Sequence, residues 1–311
     1  MSKLDKIEEL QNLLHEDSQN FQARRQLAVL LTDCGFNEEA LKNLIYLSRV
    51  FSEDSGVFYN LGIVYEKLKN FKKAKESYLK ALEIEPNAID AIYNLGLVCT
   101  ELKEYELAIE CFKQVLETDE TDSNSYFNLA LVYFKMNDYE KALKLFQKTI
   151  DLNDDDIYAH FYMGNILKEI GDIEGAKEKF NKVLSISPEY SWAYYNLAVI
   201  DYENGDLNSA LQKLEKTIES NPYDIEAYKV MSKIYASLGD GDNAEELLLQ
   251  ALDNCGEDGN IYYMLGKVAE KFGENEKYRN YLNEALRNHQ TLSLPITSVK
   301  IEMNKIKVNT Q

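Results

Sequence analysis

The sequence predicts an all-α fold, a series of tandem helical hairpins, and three observations carry that reading. A small residue returns every 34 positions, at Ala28, Gly62, Gly96, Ala130, Gly164, Ala198, Ser232 and Gly266. A row of alanines, Ala40, Ala74, Ala108, Ala142, Ala176, Ala210 and Ala244, keeps the same step. Only 4 Pro and 14 Gly punctuate 311 residues, too few for a β protein with frequent turns. A fixed period of this length marks a repeat architecture, in which each unit buries its apolar face against its neighbours. With no insertion, eight units begin at residues 21, 55, 89, 123, 157, 191, 225 and 259, leaving residues 1–20 and 293–311 as flanks.

In the N-terminal flank, Leu4, Ile7, Leu10, Leu13 and Leu14 form an apolar stripe at helical spacing. The stripe is in phase with the second helix of a unit, so residues 1–20 are expected to cap the first hairpin. Within the second unit, Phe58, Leu61, Gly62 and Tyr65 follow i, i+3, i+4, i+7 spacing, one face of a helix. Ala74, Tyr78, Ala81 and Leu82 mark one face of a second helix. Small side chains at 62 and 74 let the two backbones approach. Gly171-Asp172, Gly205-Asp206 and Gly239-Asp240 supply turns between the helices. Pro86, Pro188 and Pro222 fall at unit ends, where a helix must stop. In the last unit Tyr278 replaces the alanine, which predicts a looser second helix there. After Pro295, the spacing of Val299, Met303 and Ile306 allows a capping helix or a tail.

Phe58-x2-Leu61-Gly62-x2-Tyr65, then Ala74-x3-Tyr78 and Pro86, closely resembles the tetratricopeptide repeat pattern, and the 34-residue period agrees. The resemblance implies a right-handed superhelix, an α-solenoid. In such arrays the first helix of each hairpin lines a concave groove that holds a peptide or protein.

Composition narrows the function. Lys+Arg 34 against Asp+Glu 53 leaves a net charge of −19, which repels phosphate backbones and argues against nucleic acid. No run of about 18 uncharged apolar residues occurs, so membrane insertion is not expected. The opening MSKLDKIEELQNLL is charged from residue 3 and has no signal-peptide pattern. The cysteines Cys34, Cys99, Cys111 and Cys255 include no C-x-x-C pair and are read as reduced thiols, giving a cytoplasmic expectation.

Few residues suit catalysis or metal binding. His15, His160 and His289 show no ligand spacing, and Asp154, Asp155 and Asp156 lack the remainder of a calcium loop. No nucleotide, nucleophile-elbow or zincin motif is present. No cofactor, metal or active site is therefore expected, and the chain is read as non-enzymatic. Cys99 falls on the inward stripe, as a small hydrophobe. Asp201 also occupies an inward position, and a small register adjustment is expected to expose it while Tyr202 takes over the packing.

What remains is a surface. Counting from the start of each unit, positions 2, 5, 6, 9, 12 and 13 point away from the packed stripe, and in family terms they line the concave wall. Position 5 holds Tyr59, Tyr93, Phe127, Phe161 and Tyr195, and position 9 holds Ile63, Leu97, Leu131, Asn165 and Val199. Tyr158 and Trp192 at position 2, with Phe134 and Tyr202 at position 12, extend this apolar wall. Such a wall suggests a binding surface, although the position 5 rings would serve equally as packing between hairpins. Position 6 holds Asn60, Asn94, Asn128 and Asn196, where chance would place fewer than one of the 27 asparagines. Asparagine is a mediocre helix former, and its amide matches the N–H and C=O of an extended peptide. The row is similar to asparagine ladders in some tetratricopeptide arrays. The clamp for a chaperone's terminal carboxylates is not matched, since Phe161, Glu226 and Val230 stand where it wants cations. The expected function is a scaffold binding a partner's peptide segment in the groove. The alternative is a structural subunit that associates through the array ends or tail.

Overall fold

The computed structural model describes residues 2–308, with side chains to Lys305. Every regular element among them is an α-helix. Helix α1 (Lys3–Glu16) precedes the hairpins α2 (Phe21–Asp33) with α3 (Asn37–Val50), α4 (Ser55–Lys67) with α5 (Phe71–Ile84), and α6 (Ile89–Glu101) with α7 (Tyr105–Thr118). Then come α8 (Ser123–Lys135) with α9 (Tyr139–Leu152), α10 (Ile157–Glu169) with α11 (Ile173–Ile186), and α12 (Ser191–Glu203) with α13 (Leu207–Ser220). The series closes with α14 (Ile225–Ser237) and α15 (Gly241–Cys255), α16 (Gly259–Lys271) and α17 (Asn275–Arg287), and α18 (Ile296–Val308). The fold is a helical repeat solenoid. Packing divides it into two units, Met1–Ala159 and His160–Gln311.

The small residues at position 8 answer to a ring on the second helix. A Cβ added at Gly62 would lie 2.4 Å from Tyr78, one at Gly96 2.9 Å from Phe112, and one at Gly164 2.7 Å from Phe180. These rings are fully buried. Glycine costs roughly 1 kcal/mol of helix propensity at each site, and close approach of a buried aromatic offsets it. In the last hairpin the sizes are exchanged. Tyr278 is buried at the position of the usual alanine, and Leu282 takes the place of the ring. A Cβ at Gly266 would meet Leu282 at 3.2 Å and the Tyr278 ring at 3.4 Å, and α16 packs on α17 as closely as α4 on α5, so the looser second helix expected from Tyr278 is not found.

The turns within hairpins use one residue of positive φ. It is glycine at Gly35, Gly171, Gly205, Gly239 and Gly273, but Lys69, Lys103 and Asn137 adopt the same left-handed conformation at φ near 60°. Asp172, Asp206 and Asp240 follow their glycines as N-caps, accepting the N–H groups of Gly175, Ser209 and Asn243.

Two ends are covered by helices. Ile7 and Leu10 of α1 join the core of the first two hairpins, and α1 starts and ends 34 residues before α3. Val299 of α18 is fully buried against Ala269, Tyr278 and Leu282, while Glu302 accepts hydrogen bonds from the hydroxyls of Tyr263 and Tyr278, both at 3.0 Å. The side chain of Ile306, third in the expected stripe, lies outside the described residues.

Asp201 corrects an expectation. It is not turned outward; it is 8% exposed and stays in the stripe. Its carboxylate accepts from Ser209 Oγ at 2.7 Å and Lys213 Nζ at 2.5 Å, with Lys177 Nζ 3.9 Å away. Burial pushes its pKa up, but the hydrogen bonds and charges of Lys213, Ser209 and Lys177 hold it below the usual carboxylate value. No register change is needed because the charge is compensated where it stands. Cys99 and Cys111 are both buried, and burial pushes their thiols up to about 11 and about 12.

Candidate functional site

In the first unit the expected face residues lie on α4, α6 and α8. The position 5 rings are half-buried, each leaning on the second helix of its own hairpin. Tyr59 lies 5.9 Å from Tyr78, Tyr93 5.8 Å from Phe112, and Phe127 5.6 Å from Phe146 between ring centroids. These rings are therefore partly core, and the packing role is real. Ile63, Leu97 and Leu131 flank them, half-buried. Phe134 packs on Tyr139 at 6.1 Å, and Phe127 meets the exposed Tyr158 edge-on at 6.5 Å.

The asparagines are not isolated. Asn94 Nδ2 donates to the hydroxyl of Tyr59 at 3.2 Å, and Asn128 Nδ2 donates to that of Tyr93 at 2.8 Å and to the Asn124 carbonyl. Each bond joins position 6 of one repeat to position 5 of the repeat before it. Asn60 has Arg25 at that preceding position, and Arg25 is committed to Asp54 at 2.6 Å. Its amide turns back to the Gly56 carbonyl at 2.8 Å. The rung takes one amide N–H of Asn94 and, with the Asn124 carbonyl, both of Asn128, while the asparagine Oδ1 and the tyrosine O–H remain open. Burial, helped by the charges of Asp90 and Asp122, raises the pKa of Tyr59 and Tyr93. Both therefore stay protonated donors at neutral pH.

The second unit uses the same positions differently. Phe161, Asn165, Trp192, Tyr195 and Asn196 come together with Tyr190 around an open pocket of about 420 Å³. Phe161 packs on Phe180 at 5.9 Å and meets Tyr190 edge-on at 5.4 Å. Trp192 is 53% exposed, and Val199 is half-buried nearby in sequence on α12. Asn196 departs from the expectation of an open rung, being only 6% exposed. Its Nδ2 donates to the Trp192 carbonyl at 2.9 Å and its Oδ1 accepts from Lys168 Nζ at 2.5 Å. Phe161 has no hydroxyl to accept the amide N–H, and Lys168 instead donates to the amide oxygen that the tyrosine rungs leave open. Burial lowers the pKa of Lys168. Asn165 makes no hydrogen bond to the other described residues.

Sequence reasoning missed Lys168 and Tyr190. Lys168 sits at position 12, a face position already counted, and its charge was the available signal. Tyr190 lies in the turn before α12, outside the helical period. Among the described residues no group of three or more His, Cys, Asp or Glu could hold a metal, and no helix is long and apolar enough to cross a membrane.

Models of the tetratricopeptide repeat match residues 56–88, 88–155, 127–191, 168–234 and 201–268, between them every residue from 56 to 268. The chain is a tetratricopeptide repeat protein. No curated protein matches it. Among solved structures, this repeat protein is similar to a MamA fragment, residue 41 to the end, from Desulfovibrio magneticus RS-1. The two are 27% identical over 55% of this chain and 97% of that one, with a TM-score of 0.53. A tetratricopeptide repeat protein from Parabacteroides merdae shares the fold at 17% identity, covering 81% of this chain and 98% of that one with a TM-score of 0.58. PilF of Pseudomonas aeruginosa shares it at 21% identity, 64% and 90% coverage and a TM-score of 0.55.

Proposed function

We propose that this tetratricopeptide repeat protein is a non-catalytic scaffold that binds an extended segment of a protein partner along the face of its first helices. The observation that carries the reading is the pair of rungs Asn94–Tyr59 and Asn128–Tyr93. Each holds one acceptor and one donor in fixed geometry, matching the alternating N–H and C=O of a peptide backbone. The half-buried Ile63, Leu97 and Leu131 beside them supply apolar contact. Binding through pre-positioned groups loses less ordering entropy than binding through free side chains.

The test is affinity capture from the source cell with the intact chain and with Asn60, Asn94 and Asn128 changed together to Ala. The variant is expected to keep its helix content and lose most of the captured partner. Each lost amide strands a partner group at a cost of about 1–3 kcal/mol where the interface is dry. Equal capture by both proteins would reject the reading.

A second reading, a subunit that assembles edge-on, is favoured by one feature. Met136, Ile170, Leu238 and Phe272 all stand at position 14, and all are exposed large hydrophobics. Light scattering over a range of concentrations separates the two, since an assembling subunit grows in mass with concentration and a groove binder stays at monomer mass.

A further inference from the structure

The pocket of the second unit has a composition unlike the rungs of the first. Four rings, Phe161, Tyr190, Trp192 and Tyr195, surround it with two amides, Asn165 and Asn196. Asn196 is satisfied internally, whereas the Asn165 amide is unspent. We propose that this pocket takes an arginine side chain of the bound partner segment. The proposal rests on the groove reading above and names one residue that the partner presents.

Charge and shape both favour arginine over the other occupants of such a pocket. Ring faces carry the negative side of the aromatic quadrupole and attract a cation, tryptophan most strongly. A planar, weakly hydrated guanidinium stacks on such faces and keeps edge donors for Asn165 Oδ1, which a lysine ammonium does less well. The chain carries a net −19, so a basic segment is drawn toward it. Locally, the charges of Glu226 and Asp224 act on Tyr195. Lys168 is the opposing cation, but its ammonium is held by Asn196 Oδ1 and stands in the field of Glu203 and Glu169. A purely apolar side chain would leave Asn165 unpaired, and an acidic one would be repelled by the ring faces and by the net charge of −19.

Trp192 is the only tryptophan of the chain, so its emission reports this pocket alone. The full chain is titrated with blocked heptapeptides carrying three glycines on each side of one Arg, Lys, Leu or Glu. The Arg peptide is expected to give a saturable emission change, half-complete at a concentration at least about tenfold below that of the Leu peptide. The Glu peptide is expected to give none. Raising salt from about 50 to about 300 mM should weaken the Arg response. Asn165→Ala, checked for unchanged helix content, should raise its midpoint at least about threefold. Equal or tighter binding of the Leu or Glu peptide overturns the proposal, as does no saturable change with the Arg peptide up to about 10 mM. The Asn60, Asn94 and Asn128 variant leaves the pocket intact. Lost partner capture in that variant, together with a silent Arg titration, would reject arginine and keep the groove reading. Unchanged capture would reject the groove reading whatever the peptides do.

Discussion

Asn94 and Asn196 hold the same position in their repeats and end in opposite situations. Asn94 is half-buried, gives its N–H to Tyr59 and keeps its oxygen open. Asn196 is buried, gives its N–H to a carbonyl of its own helix and its oxygen to Lys168. The difference lies one repeat upstream, where Tyr59 carries a hydroxyl and Phe161 does not. A position in a repeat array thus has no fixed role; the preceding unit assigns it. The same holds for charge, since Asp201 occupies a position that is Tyr65 or Cys99 in the first unit and is tolerated only because Ser209 and Lys213 face it.

The largest expected effect probes that last contrast. Lys213→Ala leaves the buried Asp201 with Ser209 and the more distant Lys177, and should cost about 2–3 kcal/mol in chemical denaturation, somewhat below the loss for a fully isolated buried charge. Asp201→Leu, which restores the apolar stripe of the first unit, should be neutral or stabilising. The pair also sets a pH dependence. The folded pKa of Asp201 is lowered, so its contribution is complete above the unfolded value of about 3.9 and is lost as pH falls through the folded value. The acid limb of a stability profile should therefore flatten in Asp201→Leu.

Next in size are the glycines. Gly62→Ala drives a methyl into the Tyr78 ring and should cost about 1–3 kcal/mol. Gly266→Ala meets the end of Leu282 at 3.2 Å and the edge of Tyr278 at 3.4 Å, without the sub-3 Å overlap at Gly62, and should be neutral or gain up to about 1 kcal/mol in helix propensity. Similar losses at both sites would show that the exchange of sizes in the last hairpin has no consequence for packing.

Much of this was legible in the sequence, and what was not has a common cause. The 34-residue series of small residues marked both helices of seven hairpins and the first helix of the last, where Tyr278 breaks the alanine row, because a close helix crossing leaves little freedom in side-chain size. Gly171, Gly205 and Gly239 announced their turns through the only residue at ease with positive φ. Lys69, Lys103 and Asn137 make the same turn without that signal. The rungs were half-visible: Tyr59 and Asn94 were both named as face residues, but their bond spans 35 residues and depends on how one repeat stacks on the next. Lys168 and the partners of Asp201 were hidden for the same reason, since each lies on a different helix from the group it satisfies.

Smaller effects sharpen the comparison of the two asparagines. Tyr93→Phe removes one rung and puts a phenylalanine before Asn128, as Phe161 stands before Asn196, without a lysine at the position of Lys168. Asn128 keeps its bond to Asn124, so the loss should be about 0.5–1.5 kcal/mol, with weaker partner capture. The smallest change expected is a gain. Lys69→Gly relieves a left-handed lysine and should stabilise by up to about 1 kcal/mol, a gain unavailable in the second unit, whose turns already carry glycine.

The central claim is that the partner lies on the face of the first helices, and photo-crosslinking tests it most directly. A benzophenone amino acid is placed at Leu97, on that face, or at Glu76, exposed on the second helix α5. The account predicts a covalent adduct with the captured partner from position 97 and none from position 76. An adduct from position 76 with none from position 97 would contradict it and put the partner on the opposite face of the array.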